Sequence, residues 1–137
     1  MKIAVAIDGS DNSFRAAQHA TFLAQHLPNA QLELIHVVDH SKMKDEHLLA
    51  SSVESLSLQR NQKIKPIQDL ARSVGVETKT TILKGNPSRE IINYVKEHDI
   101  DQLVVGSRGL NVFQEMVLGS VSHKVMKHAI CPVTVVK

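Results

Sequence analysis

Aromatic side chains are scarce in this chain of 137 residues: they make up 3% of it, as three Phe, one Tyr and no Trp. Proteins that bind single-stranded nucleic acid rely on aromatic rings on which successive bases stack. The sequence offers almost no such surface, and its 16 Lys and Arg against 14 Asp and Glu form no basic run. We therefore expect no nucleic-acid partner, and a core built from aliphatic side chains.

Cysteine is also nearly absent, since Cys131 is the only one. A single cysteine cannot close an internal disulfide, so nothing in the sequence requires an oxidising compartment. No apolar run approaches the ~20 residues of a membrane span. The apolar stretch at the N-terminus ends at Asp8, which is too short for a signal peptide. The expectation is a cytoplasmic protein without membrane contact.

Length and composition are typical of one folded domain. Hydrophobic residues make up 42% of the chain and charged residues 22%, which places it among globular proteins and not among disordered ones. Domains typically contain ~100 to 200 residues. We therefore expect a single domain over residues 1–137.

The pattern of apolar residues predicts alternating strands and helices. Five short apolar runs are candidate strands: Ile3 to Ile7, Leu32 to Val38, Val76 to Leu83, Leu103 to Val105 and Val133 to Val136. Between them, apolar residues recur at three- and four-residue steps, as in amphipathic helices. Residues 40–55, polar and charged with a Leu48-Leu49 pair, are expected to form a long connection into a helix. This alternation predicts a three-layer α/β fold, an open and mainly parallel sheet with helices on both faces.

Proline and glycine mark several helix ends. The helix predicted from Leu56 to Val74 contains Pro66, which lacks an amide donor and is expected to bend the helix near Lys65 or divide it in two. Gly75 follows this helix as a C-cap candidate. The next helix is expected to begin after Asn86-Pro87, with the proline in its first turn.

Glycine-bearing turns follow the predicted strands at the places where an open α/β sheet binds ligands. Gly106 and Gly109 come after the fourth strand, and Gly119-Ser120 begins a helix. Glycines let backbone amides approach an anion, and a helix N-terminus adds unpaired N–H groups, so phosphate suits such a place. The pattern is neither a Walker A loop nor a GxGxxG fingerprint. By themselves the glycines fit either phosphate binding or plain turn chemistry.

The spacing of these glycines is more specific. Gly106, two residues, Gly109, nine residues and then Gly119-Ser120 resembles the G-2x-G-9x-G(S/T) signature of the ATP-binding branch of the universal stress protein family. The resemblance covers essentially the whole chain. Its other segments are Asp8-Gly9-Ser10, His36-Val37-Val38-Asp39, Gly85-Asn86-Pro87 and Cys131-Pro132-Val133-Thr134-Val135-Val136.

This resemblance implies a strand order of 3-2-1-4-5 and a homodimer formed by antiparallel pairing of the last strands, Val133 to Val136. It implies that Ala6, Asp8 and Val37 hold the adenine and ribose of ATP, or of AMP or ADP. It places the phosphates at a second set of residues: Gly106, Ser107, Arg108, Gly109, Gly119, Ser120, Val121 and Ser122. A carboxylate at Asp8 suits this division, because it repels phosphate but accepts hydrogen bonds from a ribose hydroxyl, and it can help hold Mg²⁺ or Mn²⁺ with the nucleotide.

Less specific interpretations of the same residues stay open. Asp8 could be the acidic N-cap of the first helix, and Arg108 could be an exposed loop cation. Asp39 and His40 are neighbours in sequence and make no metal site alone, so we expect no structural metal. Cys131 is expected to be a small packing residue and not a nucleophile.

Three hypotheses on function follow from these residues. The first is an ATP-binding universal stress protein, a nucleotide-responsive regulatory module with a protein partner that the sequence does not identify. The second is a slow ATPase or another nucleotide-processing enzyme; the glycine turns offer no evident general base, so no catalytic residue is assigned. The third is a dimeric interaction scaffold without nucleotide, which would predict a broken glycine signature.

Overall fold

Strands and helices alternate along the chain. The computed structural model describes residues 1–39, 53–108 and 118–137. In these segments the elements are β1 (Lys2–Ala6), α1 (Asp11–His26), β2 (Gln31–Val38), α2 (Val53–Ser73), β3 (Thr78–Lys84), α3 (Pro87–Glu97), β4 (Gln102–Gly106), α4 (Ser120–His128) and β5 (Val133–Val136). All five predicted strands are present. Of the connection expected over residues 40–55, residues 40–52 lie outside the described residues.

The strands form one parallel sheet in the order β3-β2-β1-β4-β5, as expected. β1 is central: Ala4 pairs with Glu33 of β2 on one side and with Leu103 of β4 on the other. The chain proceeds from β1 outward to β2 and β3, and then returns to place β4 on the other side of β1. The strand order therefore reverses between β1 and β4, which is where open α/β sheets bind ligands.

Aliphatic residues fill both faces of the sheet. On one face, Val5 and Leu34 pack against α1 and α2, and on the other, Ile35 and Leu103 pack against α3 and α4. The largest fully buried side chains are all aliphatic: Ile3, Leu32, Leu34, Ile35, Ile67, Leu103, Val5, Val95, Val104 and Val125. Burying one such side chain contributes about 1.5–3 kcal/mol. None of the described helices is long and apolar enough to cross a membrane.

The ends of α2 and α3 follow the predicted cap residues. Gly75 ends α2 with φ +77°, and the amides of Gly75 and Val76 donate to the carbonyls of Arg72 and Ala71 at 3.1 and 2.9 Å. This pair of bonds is a Schellman motif, which requires a left-handed residue where glycine stands. Asn86 caps α3 by accepting from the Arg89 amide at 3.2 Å.

Pro66 lies inside α2 without dividing it. The helix continues from Val53 to Ser73 as one element, so of the two predicted effects of Pro66, a bend or a division, the division does not occur. The neighbouring turns of α2 pack against the sheet through the buried Ile64 and Ile67, and this packing outweighs the loss of one backbone donor. The bend near Lys65 stays a prediction.

A buried carboxylate lies in the middle of the sheet. Glu33 of β2 is only 4% exposed. The Tyr94 hydroxyl of α3 donates to Glu33 Oε2 at 2.5 Å and lies 3.1 Å from Thr81 Oγ1. Burial, together with the bond to Glu33, raises the pKa of Tyr94. The pair ties α3 to the sheet through a polar contact inside an aliphatic layer.

The two edges of the sheet differ in chemistry. Edge strands carry backbone groups that no neighbouring strand satisfies. The β3 edge bears exposed lysines, Lys79 and Lys84, whereas the β5 edge is uncharged and consists of half-buried Val133, Thr134, Val135 and Val136.

Candidate functional site

Apart from Val37 on β2, the predicted site residues that the structure describes lie at the carboxyl ends of β1 and β4 and at the start of α4. Val5 pairs with Val104, so the turn after β1 and the turn after β4 begin next to each other. Ala6 ends β1, and Asp8 follows two residues later; Gly106 ends β4 and is followed by Ser107 and Arg108. Gly109 lies outside the described residues.

The turn between β1 and α1 is held by its own side chains. Ser10 is the N-cap of α1, because its hydroxyl accepts from the Ser13 amide at 3.1 Å. Asp8 is therefore not the N-cap. Its Oδ1 accepts from the Ser10 amide at 2.9 Å, while Oδ2 has no hydrogen-bond partner among the residues described. One carboxylate oxygen of the half-buried Asp8 is thus available to a ligand.

Gly9 lets α2 approach this turn closely. It adopts φ +86°, and a Cβ there would lie 2.8 Å from Lys63 Cδ. The aliphatic part of the Lys63 side chain therefore covers the β1–α1 turn. Sequence reasoning did not select Lys63, because only the packing of α2 brings it beside Gly9.

Gly106 has a packing reason to be glycine. A Cβ at Gly106 would lie 2.9 Å from the carbonyl carbon of Asn12 and 3.0 Å from its Cβ. Backbone atoms cannot yield as a flexible side chain can, so any larger residue would force α1 away from β4. The absence of a side chain brings the first turn of α1 against the turn after β4.

The start of α4 is joined to the same turn. The Gly119 amide donates to the Ser107 carbonyl at 2.8 Å, and the Ser122 hydroxyl donates to the Gly106 carbonyl at 2.5 Å. Gly119 is the N-cap of α4 and supplies no side-chain cap. The first-turn amides of α4, those of Ser120, Val121 and Ser122, consequently have no acceptor in the described part of the chain. Amides in that position attract an anion.

Arg108 adds a cation beside these amides. It is half-buried and follows Ser107 directly. No ion-pair partner of Arg108 is found within residues 1–39, 53–108 and 118–137. A guanidinium in this position can donate to a phosphate in two parallel hydrogen bonds.

Val37 lies at the β2 side of the site. It is half-buried, pairs with Leu83 of β3, and packs with the aliphatic cluster on the α3 face of the sheet. With Ala6 on the neighbouring strand, it offers aliphatic contact and no ring. Asp39 follows β2, while His40, its neighbour in sequence, lies outside the described residues.

His36 connects β2 to the end of β1. Its Nδ1 lies 2.8 Å from the Ile7 carbonyl oxygen. Burial lowers the pKa of His36, and the positive charges of Lys63 and Arg60 on α2 lower it further, whereas the Ile7 carbonyl and Asp8 act in the opposite direction. Sequence reasoning used His36 only as part of a motif. Its alternation with Leu32 and Leu34 is the signal that places it on the face covered by α2.

Asn12 and Arg15 also reach the site and were not selected from the sequence. Asn12 is only 7% exposed, and its Nδ2 donates to Ser107 Oγ at 3.0 Å. Arg15 donates through Nη2 to Asn12 Oδ1, and through Nε to the Lys137 carbonyl at 2.9 Å. No local pattern predicts these contacts, because polar residues in the first turn of a helix are common in any protein.

Comparison with known proteins is consistent with this architecture. A family model described as the universal stress protein family matches residues 1–137. Universal stress protein YxiE of Bacillus subtilis is 36% identical over 146 aligned residues, covering 99% of this chain and 98% of the relative. Universal stress protein MJ0531 of Methanocaldococcus jannaschii is 34% identical, with 99% of this chain and 81% of the relative covered.

Solved structures share the same fold. The universal stress protein UspA from Lactobacillus plantarum superposes with a TM-score of 0.84 at 29% identity, covering 100% of this chain and 97% of that protein. A universal stress protein family member from Arabidopsis thaliana with AMP bound has a TM-score of 0.71 at 25% identity, covering 100% and 91%. Two further complexes, with cAMP and with dAMP, share the fold at 24% and 23% identity and TM-scores of 0.72 and 0.73.

Proposed function

The chain belongs to the universal stress protein family, and on that basis we propose that it binds an adenine nucleotide, ATP in the first place, between the carboxyl ends of β1 and β4. One observation carries this proposal. The bond from the Gly119 amide to the Ser107 carbonyl holds the uncapped start of α4 beside a serine hydroxyl and next to Arg108. Amide, hydroxyl and guanidinium donors gathered in this way fit a chain of phosphates.

Each proposed phosphate contact uses a hydrogen-bond donor that has no partner in the described part of the chain. The amides of Ser120, Val121 and Ser122 would bind phosphate oxygens, because they have no acceptor in the described part of the chain. The Ser122 side chain would not contribute, because its hydroxyl already donates to the Gly106 carbonyl. Ser107 and Arg108 would add side-chain donors. In the signature, Gly109 follows Arg108 directly, and it lies outside the described residues.

The adenosine half would lie toward β2. Asp8 Oδ2 can accept a hydrogen bond from a ribose hydroxyl, and the same carboxylate is a candidate ligand for a Mg²⁺ or Mn²⁺ that accompanies the phosphates. Ala6 and Val37 would contact the adenine through aliphatic atoms; in the described part of the chain, Phe14 and Phe22 lie on the exposed side of α1. The adenine nucleotides bound by the solved relatives support adenine as the base.

The proposed role is regulatory. Nucleotide occupancy would change how a cytoplasmic homodimer, paired through β5, meets a protein partner. A bound nucleotide that orders the turns after β1 and β4 also orders the β5 end, since the Ser107 amide donates to the Val136 carbonyl at 2.7 Å. Binding and a change at the molecular edge are thereby connected without any chemical step.

Binding is tested on protein purified without added nucleotide. We expect acid denaturation to release ATP, ADP or AMP, and millimolar Mg-ATP to raise the melting temperature of nucleotide-free protein. A ligand at 100 times its Kd stabilises the folded state by about 2.7 kcal/mol. Chromatography of the incubated mixture also distinguishes binding from turnover, and we expect ATP to be recovered intact.

Two variants locate the site. Arg108→Gln should lower the affinity for ATP more than that for adenosine, whereas the control Arg89→Gln, in the first turn of α3, should change neither. Gly109→Val should abolish the thermal shift with Mg-ATP. A wild-type protein without a shift and without released nucleotide contradicts the proposal; an undiminished shift in Gly109→Val shows that the phosphates bind elsewhere.

A further inference from the structure

Three polar side chains form a hydrogen-bonded row behind the turn after β4. Arg15 and Asn12 lie in the first turns of α1, and Ser107 follows β4. Arg15 Nη2 donates to Asn12 Oδ1, and Asn12 Nδ2 donates to Ser107 Oγ at 3.0 Å. The close approach of Asn12 to the residue before Ser107 is possible because that residue is Gly106.

The direction of this row is fixed by its first member. A guanidinium group has donors and no acceptor, so the Asn12 atom that faces Arg15 must be the amide oxygen. The amide NH₂ of Asn12 then points toward Ser107, and the Ser107 oxygen must accept. Arg15 is itself held by the bond from its Nε to the Lys137 carbonyl at 2.9 Å.

Ser107 retains one free donor. Its amide donates to the Val136 carbonyl at 2.7 Å, and its carbonyl accepts from the Gly119 amide at 2.8 Å. Its hydroxyl oxygen accepts from Asn12, so the hydroxyl proton points away from Asn12. No acceptor for that proton is found among the residues that the structure describes. Ser107 therefore presents an O–H donor. The positively charged guanidinium of Arg15, two hydrogen bonds away through Asn12, polarises this donor.

We propose that Arg15 and Asn12 are positioning residues that fix Ser107 as a hydrogen-bond donor to a phosphate of the bound nucleotide. The proposal rests on the proposed function and adds two residues and a direction to it. A hydroxyl that rotates freely can donate or accept a hydrogen bond, so it can bind a phosphate or an amine equally well. The bond from Asn12 fixes the Ser107 hydroxyl as a donor to the ligand. This orientation favours an anionic oxygen, with which a charge-assisted bond forms.

A purely structural role predicts a different outcome. If the row only ties α1 to β4 and to the C-terminus, its loss lowers stability and weakens every ligand alike. If it orients the Ser107 proton, its loss weakens ligands with a phosphate and spares adenosine. The ratio of ATP affinity to adenosine affinity therefore separates the two roles.

The test variant is Asn12→Asp. Aspartate has nearly the same shape, but its carboxylate only accepts, so the Ser107 proton would turn toward residue 12 and away from the ligand. Calorimetric titration of wild type and variant with ATP, AMP and adenosine should show a roughly tenfold or greater loss for ATP and AMP, the cost of about one hydrogen bond to a charged group. Adenosine affinity should stay within about twofold. Asn93→Asp, an exposed site on α3, is the control for the added charge.

Ser107→Ala separates the hydrogen bond from local charge repulsion. Without the hydroxyl, Asn12→Asp has no proton to turn, so its cost for ATP should shrink in the Ser107→Ala background. An equal cost in both backgrounds overturns the proposal, as does an equal loss for ATP and adenosine. A wild type that binds none of the three ligands overturns the proposed function itself.

Arg15→Gln keeps the test decisive if Asn12→Asp does not fold. Arg15 is exposed, and its replacement removes the charge that fixes the Asn12 amide. We expect a loss of about threefold for ATP and none for adenosine, a ratio that corresponds to about 0.65 kcal/mol. Unchanged ATP affinity in a folded Arg15→Gln protein overturns the proposal.

Discussion

At the scale of single residues, the site depends on one side chain that is missing and on others that are unusually placed. The carbonyl carbon of Asn12 lies only 2.9 Å from the position that a Cβ at residue 106 would occupy, and glycine makes this contact possible. The glycine that opens the signature therefore acts first on packing, by joining α1 to the turn after β4. Phosphate binding would use a geometry that this contact establishes.

His36 makes stability depend on pH. Burial and the nearby charges of Lys63 and Arg60 lower the pKa of His36 in the folded protein, whereas in the unfolded chain it is about 6.5. As the pH falls below that value, His36 binds a proton more readily in the unfolded chain than in the folded protein. The free energy of unfolding should therefore fall as the solution is acidified from pH 7.5 to 5.5.

His36→Gln should make this decline shallower, because glutamine does not titrate and can still donate to the Ile7 carbonyl. The measurement is urea denaturation at several pH values. His128→Gln, an exposed histidine at the end of α4, is the control and should leave the slope near that of the wild type. Equal slopes for His36→Gln and wild type would contradict the assignment.

Contacts between distant residues were beyond sequence reasoning. The alternation of β2 would place the side chain of Glu33 in an aliphatic layer. Only the hydrogen bond from Tyr94, 61 residues away, makes its burial acceptable. The same holds for Asn12 and Ser107, which are 95 residues apart. Asp8, by contrast, could be placed in the turn after β1 from the sequence, because its position directly after a strand is a local property.

At the scale of elements, local patterns were sufficient. The strands were predicted from continuous apolar runs, and the ends of α2 and α3 from Gly75 and Asn86-Pro87, since caps depend on neighbouring residues only. Pro66 was the exception. Its effect depends on how firmly the turns around it are packed, and Ile64 and Ile67 hold α2 together across it.

Pro66→Ala should stabilise the protein. In a helix interior, proline is about 3 kcal/mol less favourable than alanine, and Pro66 is exposed, so its replacement loses no core contact. Alanine also frees the unfolded chain, which offsets part of the gain. We expect the free energy of unfolding in urea to rise by about 1–3 kcal/mol.

The control for this prediction is Lys65→Ala, an exposed position one residue earlier. It should change stability by no more than about 0.5 kcal/mol. A Pro66→Ala protein that is no more stable than wild type would show that α2 is already free of strain at this position.

At the scale of the whole molecule, the alternation of elements predicted a parallel sheet, but the strand order came from the family resemblance. Alternation allows several orders, because it does not say on which side of β1 the later strands return. The structure places β2 and β3 on one side and β4 and β5 on the other. The site exists because of that reversal, and its residues come from both halves of the chain.

Self-association through β5 is the prediction at this scale. The Leu103 amide donates to the Pro132 carbonyl, and the Ser107 amide donates to the Val136 carbonyl. Since backbone groups alternate along a strand, those of Val133 and Val135 point away from β4 and are available to a second copy. We expect the protein to be a dimer by light scattering coupled to size-exclusion chromatography.

Val135→Pro should convert this dimer to a monomer, because it removes an outward amide donor without removing a bond to β4. Thr134→Val keeps all backbone donors and should remain dimeric. Circular dichroism shows whether each variant is folded. A monomeric wild type, or a folded and dimeric Val135→Pro protein, would contradict pairing through this edge.

The unlike edges of the sheet also predict the stoichiometry of this expected self-association. If β5 of one copy paired with β3 of the next, every addition would leave another open edge, and the protein would polymerise. Lys79 and Lys84 make β3 a poor acceptor for such a neighbour. Two β5 strands related by a twofold axis instead consume each other's edge, so that growth stops at two copies. If the protein pairs through β5 as predicted, the charge on the distant strand β3 keeps that assembly finite.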